Sequence, residues 1–88
     1  MKIELRKFGH ILISRPAGRE GALAVRAYLT PQSKNEPIEI DFTGVDVMGP
    51  SWIDEFVQGL KEKLKNPIKF LPSNNSSVIE SLKFVSKE

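Results

Sequence analysis

Apolar and polar residues alternate at period two through Pro37 to Met48. Ile38, Ile40 and Phe42 fall on one side, Glu39, Asp41 and Thr43 on the other, and the apolar run continues through Val45 and Val47. This predicts a strand with one buried face, and Gly44 marks a bulge or bend where the chain tightens. Gly49-Pro50 ends the extended run, because proline has no N–H and fixes its own φ. From there the period changes. Ile53, Phe56, Val57, Leu60 and Leu64 stand at i, i+3, i+4, i+7 and i+11, the single stripe of an amphipathic helix over residues 51–64.

The two ends of that helix carry their own signals. Ser51 with Asp54 three residues later resembles a capping box, which contributes about 1 kcal/mol. Glu55 adds negative charge to the first turn, and Lys61, Lys63 and Lys65 place cations near the other end of the helix dipole. Asn66-Pro67 is the expected stop.

On the N-terminal side, Lys2 to Phe8 alternates as a strand and Ile11 to Ile13 is a compact apolar run. The two are expected to pair as a hairpin around Phe8-Gly9-His10. Ser14 to Glu20 (SRPAGRE) reads as a polar turn into a helix over Gly21 to Leu29, with apolar positions at 22, 25 and 29 and again at 24 and 28. Residues 31–37 (PQSKNEP) read as a polar loop. Ile68 to Leu71 is a short strand, and Asn75 or Ser76 caps a last helix with a stripe of Val78, Ile79, Leu82 and Val85. The strand at 38–42, the helix at 51–64 and the strand at 68–71 form a β-α-β unit, so those strands are expected to be parallel. The whole predicts an α/β fold, a small mixed sheet covered by helices, in the order β-β-α-β-α-β-α.

Composition narrows the chemistry. The 88 residues are enough for one domain. With no cysteine and a single histidine, thiolate chemistry is absent and imidazole clusters are excluded. No apolar run approaches the roughly 18 residues of a membrane span, and the N-terminus lacks a signal-peptide core. A cytoplasmic protein without cofactor or metal is expected. The net charge of +2 is too small to imply nucleic acid by itself.

Three groups of side chains suggest sites. Asp41, Asp46 and Arg15 would have to line a common pocket for an enzyme, and a non-enzymatic role is the expectation. Arg15 and Arg19 bracket the start of the first helix, where guanidinium groups suit an anion or a nearby carboxylate. Lys61, Lys63, Lys65 and Lys69 suggest a basic face, and with the arginine turn they give the alternative of a nucleic-acid accessory protein.

The segment IEIDFTGVDVMGPSWIDEF resembles the STAS fold of anti-sigma factor antagonists. It is more closely similar to a STAS-like domain of unknown function found in bacterial and phage-type proteins. In both, a strand ending in Asp-hydrophobic-x-Gly-Val leads through a loop with serine into a helix. The STAS-like group also carries an acidic pair like Asp54-Glu55 and often an arginine in the turn equivalent to SRPAGRE. The resemblance implies a regulatory, protein-binding module whose partner is a histidine-kinase-like ATPase. In the antagonists the serine at this helix start is phosphorylated. Here Pro50 takes that place and Ser51 stands one position later, where it is read as a helix cap or a phosphorylation site. Pro50, Ser51, Trp52, Asp54 and Glu55 are therefore the expected partner-binding residues. Trp52 falls off the helix stripe, so it is either an exposed anchor or folds back over Met48 or the first helix. The oligomeric state is left open.

Overall fold

In the computed structural model, which describes residues 1–30 and 33–85, the alternating run forms the middle of the molecule. The elements are β1 (Lys2–Glu4), a 3-10 turn (Leu5–Phe8), β2 (Ile11–Leu12), α1 (Arg15–Tyr28), β3 (Ile38–Asp41), β4 (Val47–Met48), α2 (Pro50–Lys61), β5 (Ile68–Phe70) and α3 (Ser76–Val85). Pro31 and Gln32, which open the expected polar loop, lie outside the described residues.

The strands form a three-stranded sheet in the order β1-β3-β5 and a two-stranded sheet β2-β4. All pairings are parallel. The α/β class and the parallel β3–α2–β5 unit hold. The order gains one element, because the run from 38 to 47 is two strands. Gly44 adopts φ +87°, and the chain turns there between β3 and β4.

The expected hairpin does not form. β1 lies beside β3 and β2 beside β4, in separate sheets, so the two do not pair with each other. The 3-10 turn between them buries Leu5 and sets Phe8 against Trp52 and Phe56, with ring centroids 6.2 and 5.8 Å apart. Those contacts hold Phe8 under the helices, and a reversal around it would lose them.

One face of the larger sheet is apolar, with Ile3, Ile38 and Ile40 buried. The other carries Lys2, Glu4, Glu39, Asp41 and Lys69. The helices cover the apolar face. Ala22 and Val25 of α1, Ile53, Phe56, Val57 and Leu60 of α2 and Val78 of α3 join the same core. Each fully buried large side chain contributes about 1.5–3 kcal/mol relative to exposure.

The SRPAGRE turn is helix. Ser14 caps α1 by accepting a hydrogen bond from Ala17 N–H at 3.3 Å, and Pro16 lies in the first turn, where its missing N–H costs nothing. Glycine in this stretch serves helix packing. A Cβ on Gly18 would run into the backbone carbonyl of Trp52, and one on Gly59 would stand 2.5 Å from Ala22 Cβ. α1 and α2 thus approach closely through small residues, and the buried face of α1 is narrower than its apolar pattern suggests, with Ala24 and Tyr28 exposed.

Candidate functional site

The corner between β4 and α2 is built from backbone outward. Gly49 N–H donates to the Leu12 carbonyl at 2.8 Å, which ties the corner to β2, and Gly49 is the N-cap of α2 with no side-chain cap. The expected Ser51–Asp54 capping box is therefore absent. Pro50 opens the helix one residue earlier than the serine would, and Asp54 is occupied elsewhere. Pro50 is exposed and Ser51 half-buried. The Ser51 hydroxyl makes no hydrogen bond among the described residues.

α3 braces the corner from the other side. Asn75 Nδ2 donates to the carbonyls of Val45 and Asp46 at 3.0 and 2.8 Å, while its Oδ1 accepts from Ser77 and Val78 N–H at 2.9 and 3.3 Å as the cap of α3. Ser77 Oγ accepts from Met48 N–H at 3.1 Å, and Ser81 Oγ, which is buried, donates to the Met48 carbonyl at 2.7 Å. Two serines of a helix thus satisfy the β4 edge groups that another strand would otherwise pair.

Trp52 is 1% exposed. Its ring stacks on Phe56 at 4.9 Å with the planes 14° apart, and Gly21 of α1 leaves room beside both rings. Trp52 is a core residue under α1, so an exposed anchor at this position is ruled out.

Along the α1–α2 seam, charges meet in pairs. Arg15 Nη1 donates to Asp54 Oδ2 at 2.8 Å and to Glu55 Oε2 at 3.4 Å. Both Arg19 Nη atoms reach Glu62, each at 2.7 Å, and Arg26 Nη1 reaches Glu62 Oε1 at 3.3 Å. Asp54 Oδ1 also accepts from Gln58 Nε2 at 3.0 Å. The hydrogen bond from Arg15 holds the Asp54 carboxyl below the usual carboxylate range and raises Arg15 in turn. Glu62 is lowered by Arg19 for the same reason. Of the two readings of Arg15 and Arg19, an anion or a nearby carboxylate, the structure shows the second, with Asp54 and Glu55 of α2 and Glu62 at its end as the partners. The SRPAGRE arginine and the acidic pair, the two outlying features of the resemblance, are in direct contact.

The carboxylates near the strand ends do not converge. Asp41 Oδ1 accepts from Thr43 N–H at 3.1 Å and from Thr43 Oγ1 at 2.8 Å, bonds that lower its pKa, and Lys2 adds an ion pair at 3.5 Å. Asp46 is exposed. Among the described residues no group of three His, Cys, Asp or Glu side chains is placed to hold a metal. His10 Nδ1 donates to the Gly44 carbonyl at 2.9 Å. A cleft of about 390 Å³ lies between α2 and β5 and is lined by Asp54, Gln58, Lys61, Asn66 and the apolar Val57, Ile68, Phe70 and Val85, with neither Asp41, Asp46 nor Arg15 among its walls.

One feature escaped the sequence reading. Ile11 and Val47 are cross-strand partners and point outward, 63% and 43% exposed, and Ile13 is 55% exposed. A Cβ on Gly49 would stand 3.7 Å from Ile13 Cγ2, so this apolar face runs directly into the Gly49-Pro50 corner. The signal was available in the alternation of Ile11 and Ile13 about Leu12, which puts apolar side chains on both faces of a strand there.

The model of the STAS-like domain of unknown function (DUF4325) matches residues 23–80, more than half of the chain. The chain belongs to this family. The matched span of the STAS-like domain runs from the middle of α1 into α3 and contains the whole β4–α2 corner. Arg15 and Arg19 precede it. No curated protein and no solved structure matches the chain. Among the described residues no helix is long and apolar enough to cross a membrane.

Proposed function

We propose that this STAS-like domain is a regulatory module that docks a protein partner on the β4–α2 corner. The carrying observation is the apolar face of Ile11, Ile13 and Val47 beside Pro50, on a molecule whose larger open sheet face is charged. These side chains contribute nothing to the core, and an exposed apolar patch at a rigid corner suits an interface. Glu55 and Ser51, both half-buried, would form its polar rim, with Asp54 held in place by Arg15. Trp52 supports the corner from beneath.

By the family resemblance, the partner is a histidine-kinase-like ATPase, and the module acts in cytoplasmic signalling. The nucleic-acid alternative keeps only its lysines, since Arg15 and Arg19 already face carboxylates. Titration of the purified chain with such an ATPase from the same gene neighbourhood, and separately with an oligonucleotide over a salt series, separates the two. Docking predicts ATPase binding that Glu55→Lys weakens. Oligonucleotide binding with a steep loss in salt, and no ATPase binding, would overturn it.

A further inference from the structure

Among the described residues β5 closes the three-stranded sheet and is paired on one side only. Ile38 N–H donates to the Pro67 carbonyl at 2.8 Å and Leu71 N–H to the Ile40 carbonyl at 3.0 Å, so the backbone groups of residues 67 and 71 turn toward β3. Alternation along the strand points the N–H and C=O of Ile68 and Phe70 the other way, at the free edge. The side chains of the same two residues form one wall of the 390 Å³ cleft, opposite Asp54, Val57, Gln58 and Lys61 of α2 and beside Val85, and the Asp54 carboxylate is already engaged by Arg15 and Gln58. A strand edge whose backbone groups are unpaired among the described residues therefore borders a cleft with the apolar Val57, Ile68, Phe70 and Val85 in its walls.

Charge indicates what fits there. Lys2, Glu39 and Lys69 are cross-strand neighbours, a row of alternating sign on the open sheet face that ends at β5 with a cation. The next place in that row lies beyond the free edge and suits a carboxylate. Lys61 stands at the cleft, and Lys63 and Lys65 follow it in the chain toward β5. None of Lys61, Lys63, Lys65 and Lys69 makes an ion pair among the described residues.

The geometry points to β5 as a docking edge for an extended acidic peptide, added as a further strand in which apolar side chains entering the cleft alternate with acidic ones facing Lys69. Backbone pairing supplies the affinity of such strand addition and the alternate side chains its specificity. A nucleic acid could meet the lysines, but it would leave the edge amides and the apolar floor unused. This edge is separate from the β4–α2 corner, and the variants that test it leave Ile11, Ile13, Val47, Pro50 and Glu55 unaltered.

The probe is a blocked hexapeptide alternating glutamate and valine, titrated into the isotopically labelled protein and followed by NMR and amide exchange. The amides of Ile68 and Phe70 should shift and gain protection, and Lys61→Glu with Lys69→Glu should weaken binding by about tenfold or more. Lysine–valine peptide, and glutamate–valine peptide N-methylated at every second amide, should fail to bind, and these controls leave the protein itself unchanged. The proposal is overturned if the Ile68 and Phe70 amides are unaffected at millimolar peptide or if the N-methylated peptide binds equally well. It is also overturned if an oligonucleotide occupies the lysines while the peptide leaves the edge unprotected.

Discussion

Arg15 Nη1 lies 2.8 Å from Asp54 Oδ2, joining the first turn of α1 to the first turns of α2 at the corner where β4 ends. The pair gives stability a defined pH dependence. The folded state lowers Asp54 below its ordinary value of 3.8, and Glu62 below 4.5 through Arg19. A carboxylate lowered in this way contributes stability above its unfolded pKa and loses that contribution as pH falls through the folded value. The urea midpoint should be flat above about pH 5 and decline below about pH 4. In Arg15→Met/Arg19→Met the decline should be shallower. The decline is small in either case, because these pairs are exposed to solvent.

Gly18→Ala should destabilise the protein by about 1–3 kcal/mol, since the added methyl has no space against the Trp52 carbonyl and α1 must move. Gly21→Ala should cost less, because its Cβ would meet the side chains of Trp52 and Phe56 at 3.3 Å and rings can shift. Urea denaturation of both variants checks the order. Equal costs would contradict the backbone-contact account.

Ser81→Ala removes the buried hydroxyl that donates to Met48 and leaves that carbonyl without this partner. The expected loss is about 1–3 kcal/mol. Amide exchange of Gly49 and Ile53 should quicken more than the global stability change requires, because the α3 brace acts on the corner. Exchange that tracks global stability alone would show that the brace is not local.

Trp52→Ala should cost about 3–5 kcal/mol, the cost of emptying a core site. Its thermal midpoint measures folding, and any binding defect in this variant reports the core.

How far the sequence could be read depended on whether the partners of a residue lay nearby in the chain. Ile38, Ile40 and Ile53 to Leu60 were legible, because period and burial coincide within single elements. Asn75 was legible as a cap for the same local reason. The start of α1 was not. Gly18 read as a turn residue, and only the approach of Trp52, far along the chain, explains why a helix holds it. Trp52 was read as off the α2 stripe, but it stands four residues before Phe56 and seven before Gly59, on a side of the helix over which α1 and Phe8 close. The hairpin expectation failed because adjacency in sequence suggested pairing, while each strand found its partner after α1. At the corner, Pro50 was legible as a helix start from local pattern, whereas Glu55 was read into the first turn of α2 and lies beyond it, because the helix already begins at Pro50. Ile11, Ile13 and Val47 joined them only once β2 and β4 were seen side by side.

The most direct test of the docking corner is the dissociation constant for a histidine-kinase-like ATPase, measured by calorimetry on the wild type and on Ile13→Asp and Val47→Asp. Both side chains are exposed, so thermal midpoints should stay close to that of the wild type. The account predicts tight wild-type binding weakened by about tenfold or more in each variant. Equal binding by all three proteins, or no binding by the wild type, would contradict it.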